Sequence, residues 1–108
     1  MFIIKKGNIF HTRGDTADFH INIKINDEPV SDFEAVFSVK RNAKDSEYLF
    51  QVPVVNGSVH ISHQDTQELP FGDYYYDIQV RINNGTDEGR YVTFGVYQYH
   101  LQPDITTE

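Results

Sequence analysis

The chain has 108 residues, nine Lys and Arg against 16 Asp and Glu, a formal charge of −7 and no Cys. This length suits one domain with one modest core. The missing Cys excludes disulfides and thiolate metal sites, and the acidic balance speaks against nucleic acid or an anionic membrane as a partner, because Lys and Arg drive phosphate binding.

No apolar run approaches the roughly 20 residues that span a bilayer. Lys5-Lys6 follows only three apolar residues, so no signal peptide is expected. The lack of Cys fits a reducing compartment. Phe and Tyr supply all the aromatic content, 14%, which points to β structure.

In chain order, Phe2 to Ile4 and Ile9 to Thr12 are short strand candidates. Ala17 to Ile25 alternates cleanly, with apolar residues at odd positions, and Asn26-Asp27-Glu28-Pro29 ends it with turn residues. Ala35 to Lys40 is the next strand, with Ala35, Phe37 and Val39 on one face. A polar loop, Arg41 to Ser46, follows.

Tyr48 to Val55 and Ser58 to Ser62 flank Asn56-Gly57, the strongest short hairpin signal, because both residues tolerate the positive φ of a type I′ turn. A two-residue loop sets Val55 opposite Ser58, Val54 opposite Val59 and Val52 opposite Ile61. Pro53 lacks an N–H, so an open edge is expected for that strand. His63 to Leu69 is the one place for a helical turn.

Leu69-Pro70-Phe71-Gly72-Asp73 is a corner, and an alternating strand runs from Tyr74 to Ile82. Tyr74, Tyr76, Ile78, Val80 and Ile82 face one way; Tyr75, Asp77, Gln79 and Arg81 face the other. Asn83 to Gly89 reads as a hairpin loop. Arg90 to Tyr99 returns with Val92, Phe94 and Val96 inward. Residues 1–102 form one domain, and 103–108 read as a tail or the stub of a linker.

Seven to eight strands at this spacing predict an all-β, immunoglobulin-like antiparallel β-sandwich. Such sandwiches enter a central strand through a corner built like Pro70, Gly72 and Tyr74, with the Tyr hydroxyl bonded back to the corner backbone.

Candidate chemistry is sparse. Arg13-Gly14-Asp15 matches the tripeptide that integrin ligands display. Its structural reading is a turn in which Gly14 supplies positive φ and Asp15 caps the bend. The five histidines offer no ligand set at metal spacing. The carboxylates fall mostly in turns, and no serine has a nucleophile-elbow context. No catalytic residue, cofactor site or metal site is expected.

Tyr75, Tyr91, Tyr97 and Tyr99 fall opposite the core pattern on two strands that should pair. They are the candidate partner-contact face, since tyrosine rings bury large area at low entropy cost. The other reading is that a loop or a terminal segment covers them.

Arg13-Gly14-Asp15-Thr16, then an alternating strand, then Ala35-Val36-Phe37-Ser38-Val39-Lys40, then Leu69 to Gln79, together resemble the N-terminal domain of phage upper baseplate proteins. Small immunoglobulin-like domains of this kind occur in tail proteins of phages of Gram-positive bacteria. The likeness runs through nearly the whole chain in order. It implies a virion structural module of the tail or baseplate, assembled in the host cytoplasm and working through contacts with other tail or baseplate proteins. A homo-oligomer in the virion is expected. It also implies that Arg13-Gly14-Asp15 is a fold motif. The chain departs from long members of the family in stopping at Glu108, without a coiled coil or receptor-binding segment.

The first functional expectation is thus a non-enzymatic assembly module. The second is a carbohydrate-binding module that stacks sugars on Tyr75, Tyr97 and Tyr99. A small hydrolase is the third, and no acid–base pair or nucleophile supports it.

Overall fold

The computed structural model describes residues 2–25, 27–30, 33–82 and 90–103, with backbone alone at 25, 30, 90–92 and 94–96. Its strands are β1 (Phe2–Lys5), β2 (Asn8–Thr12), β3 (Ala17–His20), β4 (Ile23–Ile25), β5 (Glu28–Val30), β6 (Phe33–Lys40), β7 (Phe50–Val55), β8 (Ser58–Ile61), β9 (Gly72–Ile82) and β10 (Arg90–Gln102), with one helical turn, α1 (His63–Thr66). The expected loop at 83–89 and the last five residues of the expected tail lie outside the described residues.

The fold is all-β. Eight strands form one sheet in the order β1-β2-β10-β9-β6-β7-β8-β3, and β4 and β5 form a separate two-stranded sheet. The expected all-β, sandwich-like fold is present, with most of its strands hydrogen-bonded into one sheet. A single sheet curls over its own apolar face. Phe19 of β3 packs edge-on against Phe37 of β6, three strands away, at 5.5 Å. It also stacks on Phe2 of β1, at the opposite end of the order, at 5.2 Å. Strand twist and aromatic filling favour this curl, because it takes the Phe2 and Phe19 rings from the two ends of the sheet partly out of water together.

Pairing is antiparallel except between β2 and β10, which run parallel with Ile9 opposite Tyr99. The core gathers Ile9, Phe37, Val39, Val59, Ile61 and Tyr99, all fully buried. A smaller cluster of Ile23, Ala35, Val80 and Ile82 joins the two-stranded sheet to β6 and β9. The alternation through β6 and β9 explains both clusters, since Ala35, Phe37 and Val39 lie opposite Val80, Ile78 and Tyr76 on one face.

Asn56 and Gly57 take φ of 52° and 80°, and Val54 faces Val59 and Val55 faces Ser58, the register that a two-residue turn dictates. Val52 and Ile61 lie beyond that ladder, both in the same core cluster. The open edge expected at Pro53 is not there: β7 is internal, between β6 and β8, with Pro53 opposite Val36. The ring is accommodated because the β7–β8 ladder runs only over Val54 and Val55 and stops where Pro53 would have to continue it.

The alternating run from Ala17 to Ile25 is not one strand. Ile21 N donates to Gly57 O at 2.7 Å, and there β3 runs out of partner, because β8 begins at Ser58. The chain crosses at Ile21-Asn22 to a second sheet, where β4 pairs with β5 and Lys24 faces Pro29. Alternation survives the crossing, which is why the sequence does not reveal it. The helical turn at His63–Thr66 starts where Asp65 accepts from Ser62 N at 2.8 Å and Ser62 Oγ at 3.1 Å.

Candidate functional site

The corner and the Arg-Gly-Asp turn meet at one end of the molecule. Tyr74 Oη donates to Pro70 O at 2.6 Å, and Gly72 opens β9 opposite Leu101. Asp15 N donates to Thr12 O at 3.1 Å across a turn in which Gly14 has a φ of +83°, a region that disfavours side chains. Gly14 N donates to Thr66 Oγ1 at 2.9 Å, and His63 Nδ1 donates to Gly14 O at 2.6 Å. The Arg13 guanidinium lies 4.0 Å from the centre of the Phe71 ring and donates to Leu69 O at 3.3 Å. The tripeptide is thus tied to α1 and to the corner, and Arg13 is held against the domain instead of projecting from it.

Behind this turn His11 is fully buried. Its Nε2 lies 2.9 Å from Asp15 O, which can only accept, so Nε2 carries the proton. Nδ1 therefore accepts from the Tyr99 hydroxyl. Burial pushes the His11 imidazole below its ordinary value, against the opposing effect of the Asp15 carbonyl. Burial also raises the Tyr99 phenol. The pair is a neutral latch joining β2, β10 and the turn.

The four tyrosines expected on one exposed face do not share it. Phe94 lies opposite Ile78, but Tyr97 lies opposite Tyr76, so three steps on β10 span two on β9. This bulge adds a residue and reverses which side chains point inward beyond it. Tyr99 and Leu101 enter the core, and Tyr99 is 0% exposed. Tyr97, 46% exposed, sits at the rim of the inner face, with its ring against Gly7 and tilted towards Tyr76 at 6.2 Å. Tyr75 is half-buried on the outer face, opposite Gln98 and Lys40. The side chain of Tyr91 lies outside the described residues. No sugar platform forms from Tyr75, Tyr97 and Tyr99.

Two other surfaces stand out. β1 ends the sheet order, and both Ile3, on the outer face, and Ile4, at the rim of the inner face, are close to half exposed, at 47% and 46%. Lys5 and Lys6 follow directly. The alternation of β1 is Phe-Ile-Ile, so no register hides both isoleucines. The second surface is a groove of about 620 Å³ at the strand crossing, between the Asn56-Gly57 turn and the small sheet.

The histidines are dispersed. His60 donates to Asp18 at 2.6 Å and His100 to Asp73 at 2.5 Å, while His20 lies opposite Ser58. Among the described residues no three His, Asp or Glu side chains are grouped as metal ligands.

Comparison with family models, with curated proteins and with solved structures finds no match to this chain.

Proposed function

We propose that this domain is a non-enzymatic structural and assembly module of a bacteriophage tail or baseplate, working by protein–protein contact and forming a homo-oligomer in the virion. The ordered motifs from Arg13-Gly14-Asp15-Thr16 to the Tyr74 corner support the phage assignment through their resemblance to baseplate domains. The observation that carries assembly is β1. Among the described residues it is a terminal strand of the sheet, and it carries an exposed isoleucine on each face. Such an edge is a template for another strand, which gains main-chain hydrogen bonds and covers the apolar side chains. Lys5 and Lys6 keep the edge soluble alone and offer charge pairing to an acidic surface, including that of a second copy with net charge −7.

Multi-angle light scattering over a concentration series tests this, alone and with the tail proteins encoded beside it. A concentration-dependent oligomer or a stoichiometric complex is expected. A strict monomer that binds none of those proteins contradicts the reading.

A further inference from the structure

The groove at the strand crossing differs in charge from the chain as a whole. The chain carries 16 acidic against nine basic residues. Yet the described residues that line the groove include no carboxylate. Its polar members are His20, Asn22, Lys24 and Asn56, and its apolar members include Ile23 and Phe33. Every one of the four polar side chains can donate a hydrogen bond, and Lys24 brings a positive charge. The volume lies within the roughly 300–1,000 Å³ of small-molecule sites.

One wall is set in advance. A Cβ on Gly57 would lie 2.6 Å from His20 Cε1, so only glycine lets the imidazole lie against the turn. The bond from Ile21 N to Gly57 O fixes the next residue. Asn56 is held at a φ of 52° by the same turn. The small sheet supplies the facing wall through Lys24, and Ile23 is anchored in the core cluster below. The backbone around the groove is thus set in advance, which lowers the ordering cost of binding.

We propose that this groove binds an acidic saccharide, a sugar unit bearing a carboxylate or a phosphate. Phe33 would take the apolar face of the ring. Asn22, Asn56 and His20 would bond its hydroxyls, and Lys24 its anionic group. Neutral amides beside an aromatic ring suit hydroxyl-rich ligands better than they suit a peptide backbone, which seeks a strand edge. The proposal is independent of assembly, because β1 lines no part of the groove.

The test is an amide chemical-shift titration of the full chain. The probes are an oligogalacturonate, a hexose phosphate, a neutral galactose oligomer and an oligoglutamate peptide. Saturable shifts at Asn22, Lys24, Asn56 and Gly57 are expected with one or both acidic sugars. Lys24→Gln should weaken that binding by about tenfold, since it removes one charge-assisted bond. Lys24 is exposed, so this variant keeps the fold, and an unchanged spectrum elsewhere verifies it. The proposal is overturned if neither acidic sugar shifts these residues, if the neutral oligomer binds equally well, if the oligoglutamate binds more tightly, or if Lys24→Gln has no effect. A variant that abolishes assembly through β1 should leave the titration unchanged.

Discussion

Replacing Phe37 by Ala is expected to destabilise the domain by about 3–5 kcal/mol, the range for truncating a buried aromatic. The ring is fully buried at the centre of the curl. It packs against Phe19 at 5.5 Å, Tyr76 at 5.2 Å, and Phe50 and Tyr99 at 6.4 Å each. These partners come from β3, β9, β7 and β10, so one side chain joins both halves of the curled sheet. Neighbours on four strands cannot collapse into the space together without breaking ladders. Domains of this size have roughly 5–15 kcal/mol in total, so the variant would retain a small margin or none. Urea unfolding measures it. A midpoint shift worth under about 1 kcal/mol would mean that the sheet does not close over this ring.

The second large effect is expected at the His11–Tyr99 latch. Tyr99→Phe preserves the ring's packing but leaves His11 Nδ1 buried without a donor, at a cost of about 1–3 kcal/mol. The same latch responds to acid. The folded pKa of His11 lies below the ordinary 6.5 of the unfolded chain. Below that pH the unfolded chain therefore binds more protons than the folded one. The latch's stability is present above pH 6.5 and is lost as pH falls from there towards the lowered folded value. Thermal unfolding at stepped pH reads the slope, and nitrogen-detected NMR reads the ring. The expected result is a neutral His11 protonated at Nε2 at pH 6.5, with stability falling below it. A charged His11 at neutral pH would contradict the assignment. At the alkaline end, the raised phenols of Tyr76 and Tyr99 predict a loss of stability as pH rises past about 10, where these groups ionise only on unfolding.

Period-two alternation is readable wherever one face is buried and the other wet. That is why β6, β9 and the Asn56-Gly57 hairpin register follow from residue types alone. The corner is legible for a similar reason: a Pro, a Gly and a Tyr at this spacing leave few other geometries. The bulge in β10 is not legible, because Thr93 to Tyr99 offers apolar or aromatic residues on both parities, and only pairing with β9 decides which enter. Tyr99 is consequently a core residue that sequence reasoning places outside. His11 is missed for a related reason. Ile9 and Phe10 are adjacent and both apolar, so the inward face of β2 is ambiguous until β10 lies beside it. The groove is invisible because it exists only where an unbroken alternation changes partners at Ile21-Asn22. Its signal is the Gly57 that makes room for His20, and this requires knowing that β3 and β8 are neighbours.

The assembly reading rests on the contact surface being the β1 edge and not the tyrosine strands. The direct test compares Ile3→Asp/Ile4→Asp with Tyr75→Ala by light scattering at the concentration where the unmodified chain associates with itself or with a neighbouring tail protein. Both variants change exposed or half-buried positions outside the core clusters, so both should fold. The account predicts that the β1 double variant stays monomeric and unbound while Tyr75→Ala associates as before. Association that survives in the β1 variant and disappears in Tyr75→Ala would contradict it.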